Sequence, residues 1–161
     1  MSKFKIYLLT HEKELDRKTS TSRVVKEVIK NRCEIIIWKR KEPDVMFEAE
    51  LFPENSALVY MSKEGGSIED IEGIENFILL EGTWQESRKM YNRSPYLKKY
   101  KTLSIKPNAP SKYNLRRNQV ASGLSTVETV IEIFRLKGEN GVANTLFSNF
   151  ISFQPRPASS D

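Results

Sequence analysis

Short apolar runs alternate with polar and amphipathic segments along this chain. The runs are rich in β-branched, aromatic and aliphatic residues, which favour β-strands. They predict five strands, at residues 4–10, 33–38, 55–61, 76–80 and 100–105.

Between these runs, apolar residues recur at the spacing of an α-helix. Val and Ile do so within residues 20–31, after a run of Ser and Thr that can cap a helix. Further helices are predicted at residues 84–92, 125–138 and 140–150. Strands that alternate with helices indicate an α/β fold with a mostly parallel sheet and flanking helices.

Three segments between the predicted elements mark the expected ligand site. Ligands of parallel α/β sheets bind where the carboxyl ends of the strands meet. Residues 51–55 lead into the third strand, residues 81–84 follow the fourth, and residues 107–126 follow the fifth. The last segment is too long for a simple connection, and long ordered loops often carry function.

Length and composition fit one domain. The chain has 161 residues, of which 39% are hydrophobic and 29% are charged. We assign residues 1–153 to the domain and expect residues 154–161, with two prolines and small polar residues, to form a flexible tail. No signal peptide or membrane-spanning stretch is evident, which predicts a cytoplasmic protein with no membrane partner. A monomer is the preferred assembly.

Cys33 and His11 are the only residues of their types. A single cysteine forms neither a disulfide nor a CxxC zinc site within one chain, and the two residues make a poor metal site. We therefore predict no metal and a buried Cys33. The chain also lacks GxGxxG, Walker, HExxH and GxSxG motifs, which excludes the commonest nucleotide-binding, protease and esterase classes.

The net charge of +5 is unevenly distributed. Residues 54–81 contain seven acids and one base, whereas residues 86–117 contain ten bases and one acid. Four tyrosines lie in the basic stretch. Lys and Arg attract phosphates and exposed Tyr rings stack on unpaired bases, so the stretch favours binding to nucleic acid. The alternative is a solubilising surface whose tyrosines pack inward.

Four segments, in order, resemble blocks of one protein family. Residues 80–89 contain the sequence EGTW, which is similar to the acid-Gly-Thr-Trp signature of the DTW-domain family. Residues 51–53, 110–116 and 124–128, which read LFP, PSKYNLR and LSTVE, resemble further blocks at similar spacing.

The resemblance extends from residue 5 to residue 133, with substitutions at three of the positions compared. Residues 10–23 are similar to an N-terminal block of the family, with Thr21 and Arg23 retained but serines in place of Asn and Gly. Glu81 stands where the family usually has Asp, which keeps the charge and moves the carboxylate out by one methylene.

The resemblance implies a SPOUT-like fold with a C-terminal trefoil knot, related to the ribosomal-RNA aminocarboxypropyltransferases. It further implies an enzyme that transfers the 3-amino-3-carboxypropyl group of S-adenosylmethionine (SAM) to N3 of a uridine in tRNA. The products would be acp3-uridine and methylthioadenosine. The alternatives are a SPOUT-type RNA methyltransferase that uses the same cofactor and a catalytically silent RNA-binding module.

Glu81 is the candidate base for the uracil N3 proton. It ends an apolar strand, where burial would raise the pKa of a carboxyl group, although it could instead cap a helix or position a neighbour. Trp84 is expected to shape the cofactor pocket or to anchor its helix in the core. The residues assigned to the cofactor are Leu51, Phe52, Pro53, Gly82, Thr83, Trp84, Leu124, Ser125 and Thr126. Ser125 and Glu128 also have the form of a capping box, which needs no ligand.

RNA contacts are assigned to the basic stretch, the long loop and one residue of the N-terminal block. The assigned residues are Arg23, Arg88, Lys112, Tyr113, Arg116 and Arg117. Arg116 could instead pair with an acid between residues 64 and 75. Lys98, Lys99 and Lys101 are interpreted as diffuse steering charges.

Overall fold

Five parallel strands form one sheet at the centre of the molecule. The computed structural model describes residues 4–11, 22–38, 51–61, 71–82, 84–105 and 126–152. The strands are β1 Lys5–Thr10, β2 Cys33–Ile37, β3 Ser56–Met61, β4 Asn76–Glu81 and β5 Lys101–Ile105. Their order across the sheet is β2-β1-β4-β3-β5, and every neighbouring pair is parallel. The predicted α/β fold with a parallel sheet is confirmed.

Four α-helices flank the sheet within the described ranges. They are α1 Ser22–Ile29, α2 Trp84–Asn92, α3 Thr126–Leu136 and α4 Asn140–Ser152. Gly138 separates the last two helices with a φ of +83°, a left-handed conformation that glycine adopts without steric cost. The Glu139 N–H then donates to the Phe134 carbonyl at 2.8 Å, which completes the end of α3.

The two faces of the sheet are buried against different elements. Ile6 and Leu8 of β1, and Phe4 just before it, belong to a core shared with α1, α3 and α4. Tyr7 and Leu9 belong to a second core that includes Met90 of α2 and the short helical turn Pro95–Lys99. Successive side chains of a strand point to opposite faces, so this division tells which face each later residue of the strand occupies.

Cationic side chains fasten the amino-terminal edge of the sheet. The Arg32 guanidinium donates two hydrogen bonds to the Glu139 carboxylate, at 2.9 and 2.8 Å. Its Cζ lies 4.7 Å from the Phe4 ring centroid and 5.0 Å from that of Phe134. Lys137 Nζ donates to the backbone oxygen of Ile74 at 2.9 Å. These contacts attach the turn between α3 and α4 to the amino-terminal edge of the sheet. They lie at the edge opposite to the carboxyl ends of the strands.

Two expectations about the C-terminal part lie outside the described residues. The predicted knot depends on residues 106–125, and the predicted tail comprises residues 154–161. Both stay predictions, as does the extent of the domain. In the part of the chain that the structure describes, no helix is long and apolar enough to cross a membrane.

Cys33 generates a prediction about stability at alkaline pH. Burial raises the pKa of its thiol from 9.0 to about 12, against an opposing effect of Lys26 and with added effects of the charges of Glu81 and Glu34. Between these pH values the folded state holds a proton that the unfolded chain has released. The free energy of unfolding therefore falls as the pH rises, by at most about 1.4 kcal/mol per pH unit.

The measurement is urea denaturation of the wild type and Cys33→Ala from neutral pH to about pH 11. The variant is less stable near neutral pH because it leaves a cavity, but it loses less stability per pH unit above pH 9. Parallel pH profiles for the two proteins would contradict the assignment.

Candidate functional site

The carboxyl ends of β1 and β4 form the centre of the candidate site. The register pairs Thr10 of β1 with Glu81 of β4, and the His11 N–H donates to the Glu81 backbone oxygen at 2.9 Å. The two strands are parallel neighbours, so the residues that follow them emerge side by side. The predicted signature at residues 81–84 begins at this point.

Glu81 is a buried carboxylate at the end of a central strand. Its exposed fraction is 1%. Thr126 Oγ1 donates to Glu81 Oε2 at 3.0 Å, and Thr10 Oγ1 lies 3.5 Å from Oε1. Thr10 also donates to the Leu8 backbone oxygen at 3.1 Å, so its single proton is shared and Thr126 is the stronger donor. Glu81 thus joins β1, β4 and the first residue of α3.

These contacts stabilise the Glu81 carboxylate in the protein interior. A buried carboxylate is costly unless hydrogen bonds replace its hydration, and two threonine hydroxyls contribute here. The start of α3 adds the positive potential of a helix N-terminus. Both roles considered for Glu81, a base and a residue that positions a neighbour, stay predictions.

Gly82 allows a close passage from β4 into α2. A Cβ atom on Gly82 would lie 3.0 Å from Glu86 Cβ and 3.5 Å from His11 Cβ. The Ser87 hydroxyl donates back to the Leu80 backbone oxygen at 3.3 Å. The signature glycine therefore lies at a close approach between α2 and the end of β1.

The structure shows an aromatic pair that sequence reasoning did not assign to the site. His11, 9% exposed, stacks on Trp38 with ring centroids 5.6 Å apart and an interplanar angle of 23°. Trp38 Nε1 donates to the buried Ser94 Oγ at 2.6 Å, and the Trp38 N–H donates to the Thr10 backbone oxygen at 2.9 Å. The signal in the sequence was position, because His11 directly follows one predicted strand and Trp38 ends the next.

The predicted cofactor residues are only partly brought together. Gly82 adjoins Glu81, and Thr126 contacts it. Leu51 is 2% exposed, accepts the Tyr100 hydroxyl at 3.1 Å through its backbone oxygen, and belongs to the α2-side core. Phe52 is 49% exposed. Phe52 accepts the Asn55 N–H at 3.1 Å, in the turn that leads into the amino end of β3.

Residues 51–53, which include Pro53, thus precede the end of β3 opposite to the carboxyl edge. Their role in cofactor binding stays a prediction. Thr83, Leu124 and Ser125 lie outside the described residues, as does the side chain of Trp84, whose backbone begins α2.

Six exposed bases form what we call the α2 basic surface. They are Arg88, Lys89, Arg93, Lys98, Lys99 and Lys101. Tyr100 is 4% exposed, and Tyr91 and Tyr96 pack partly buried against the same core. Lys98 Nζ lies 3.4 Å from the Tyr91 ring centroid. These tyrosines pack inward, as the alternative held, while the bases face solvent.

Of the other residues assigned to RNA, one lies on the opposite side of the sheet and four fall outside the described residues. Arg23 is exposed on α1. Lys112, Tyr113, Arg116 and Arg117 fall outside the described residues. Within those residues, no group of three His, Cys, Asp or Glu side chains is placed to hold a metal ion.

The bond between Thr126 and Glu81 generates a prediction about stability. Thr126→Val keeps the shape of the side chain but removes the donor to a buried carboxylate. The free energy of unfolding is expected to fall by about 1–3 kcal/mol. Thr126→Ser retains the hydroxyl and should stay within about 0.5 kcal/mol of the wild type. Denaturant titration compares them, and equal stability of the Val and Ser variants would refute the contact.

Comparison with known proteins agrees with the sequence blocks. No solved structure matches this chain. The family model described as the DTW domain matches residues 1–156 of the 161 residues. The match contains the signature at Glu81 and every other block that resembles the family. The chain therefore belongs to the DTW-domain family.

Proposed function

We propose that this protein transfers the 3-amino-3-carboxypropyl group of SAM to N3 of a uridine in tRNA. Family membership is consistent with a role in tRNA modification. The observation that carries the proposal is the convergence on the Glu81 carboxylate. Thr10, Glu81 and Thr126 come from three separate family-like blocks, and hydrogen-bond contacts bring them together.

The charges at the carboxyl edge fit such a donor. SAM supplies a methylene carbon bonded to a positively charged sulfur, which is a good leaving group. The negative charge of Glu81 favours a cation nearby, and the start of α3 at Thr126 favours a carboxylate. Gly82 carries no side chain that would fill the space between His11 and Glu86. The chain therefore has groups of both signs to orient the aminocarboxypropyl arm.

Catalysis then depends mainly on positioning. The protein must hold uracil N3 in line with the bond between carbon and sulfur, exclude water, and accept the N3 proton. The β1–β4 edge is rigid because both strands are buried and paired on both sides. Such an edge supports precise placement of the two reactants.

The α2 basic surface supports tRNA as the substrate. Its six exposed bases lie between residues 88 and 101, where the sequence has no acid. Gly82 and Thr83 separate β4 from α2, so Arg88 and Lys89 are the bases of this surface nearest to the carboxyl edge, while Lys98, Lys99 and Lys101 lie toward the start of β5. Phosphates bound here would bring RNA to the candidate site.

Product analysis tests the transferred group. The purified protein, incubated with SAM and unmodified tRNA, should release methylthioadenosine and leave the carboxypropyl carbons on uridine. Chromatography with mass spectrometry follows both products, using SAM labelled in that arm. Release of S-adenosylhomocysteine would instead identify a methyltransferase. Binding of tRNA without binding of SAM would indicate a silent RNA-binding module.

Replacement of bases tests the RNA surface. The triple variant Arg88→Gln, Lys89→Gln and Arg93→Gln should weaken the binding of different tRNAs by a similar factor, because contacts with phosphates do not depend on the base sequence. If each base contacts one phosphate, the slope of log affinity against log salt concentration falls by about 2–3. Filter binding over a range of salt concentrations measures this slope.

A matched control has the same loss of charge elsewhere. Lys5→Gln, Lys30→Gln and Arg135→Gln remove three bases that lie outside the α2 basic surface. This control should keep most of the salt slope. Equal losses in both triple variants would mean that only the net charge matters and that the α2 basic surface is not the interface.

A further inference from the structure

We infer that His11, held on Trp38, accepts the uracil N3 proton, while Glu81 acts as a positioning residue. This inference rests on the proposed function and deepens it by naming the group that moves the proton. It follows from the different surroundings of the two side chains at the carboxyl edge.

Glu81 is engaged by the protein itself. Its Oε2 accepts the Thr126 hydroxyl at 3.0 Å, and its side chain is 1% exposed. Protonation of Oε2 would remove the acceptor that fastens α3 to the sheet. Glu81 Oε1 lies 3.5 Å from the Thr10 hydroxyl oxygen, and this contact is also buried. A uracil would have to displace these contacts to reach the carboxylate.

His11 lies beside the signature but on the side of α2. The bond from its N–H to the Glu81 backbone oxygen fixes it next to Gly82. Trp38, on which it stacks, packs against the α2-side core. Arg88 and Lys89, near the start of α2, lie on this same face of the sheet, so RNA bound to them lies on the face that holds His11.

The orientation of the imidazole is set by its neighbours. The Trp38 ring is fixed by its hydrogen bond to Ser94, whose side chain is fully buried. Glu86 of α2 faces the same junction, since its Oε1 lies 3.0 Å from the position that a Cβ on Gly82 would take. Histidine is the side chain that serves most often as a general base in enzymes.

The proposed step balances without another reactant. A ring nitrogen of His11 takes the N3 proton, and the N3 electron pair forms a bond to the methylene carbon of SAM. The bond between that carbon and sulfur breaks, its electron pair stays on sulfur, and neutral methylthioadenosine leaves. The imidazolium of His11 then returns its proton to water.

Single-turnover transfer with the full chain, SAM and tRNA tests this assignment. His11→Gln and His11→Asn should lower the rate by about 100-fold or more, as expected for loss of a proton acceptor. Their Kd for SAM should stay within about twofold of the wild type, measured by calorimetry. Imidazole added to His11→Ala should restore part of the rate. The Gln and Asn variants are both used so that a folding defect in one of them does not decide the result.

Two further variants distinguish loss of the proton acceptor from loss of the residues that hold the site in place. Trp38→Phe keeps a ring under His11 but loses the bond to Ser94, so it should lower the rate less than tenfold. Glu81→Gln should lower thermal stability and SAM affinity together with the rate, because it weakens the attachment of α3.

Three results would overturn the inference. One is a rate within threefold of the wild type in both His11→Gln and His11→Asn. Another is a loss of rate that imidazole does not restore in His11→Ala. The last is a 100-fold loss in Glu81→Gln with unchanged SAM affinity and stability, which would make Glu81 the base. If the wild type forms no acp3-uridine, the proposed function itself fails.

Discussion

The buried carboxylate of Glu81 imposes the main constraint on this structure. A charge that is 1% exposed is costly unless polar groups of the protein replace its water. Thr126 and Thr10 supply hydroxyls from α3 and β1. The chain must therefore bring α3 back to the sheet centre after β5, so that one hydrogen-bonded group links the ends of two strands to a helix start. The hydrogen bonds of Glu81 therefore fix the relative positions of the elements that would form any ligand site at this edge.

The two sides of the carboxyl edge differ in chemistry. The side of α1 and α3 holds the carboxylate and a helix N-terminus. The side of α2 holds the His11–Trp38 pair and leads to the α2 basic surface. Under the proposed function, this separation gives the cofactor arm and the RNA different approaches to one edge. The tight packing at Gly82 keeps the two sides in a fixed relation.

Much of the fold could be predicted from the sequence because its signals are local. The apolar runs predicted the ends of each strand to within one residue. The helical periodicity predicted the four helices. Gly138 and Asn140 mark a helix end and a helix start that follow known conformational preferences. Short turns such as Pro95–Lys99 were not predicted, since a single helical turn has too few residues to show a hydrophobic period.

The site was less accessible to sequence reasoning because it depends on strand register and order. The family-like blocks identified Glu81 and Thr126, but nothing local shows that one donates to the other. His11 was considered with Cys33, although the structure stacks it on Trp38 across the β1–β2 pair. Leu51 was placed near the site from its position before β3, yet parallel strands put that end away from the carboxyl edge.

The central claim is that this protein installs an aminocarboxypropyl group on uridine of tRNA. Its most direct test is mass spectrometry of nucleosides from tRNA of cells that carry, lack or regain the gene. Acp3-uridine should be lost with the gene and return with the wild-type protein. Unchanged acp3-uridine without the gene, or the loss of a methylated nucleoside in its place, would contradict it.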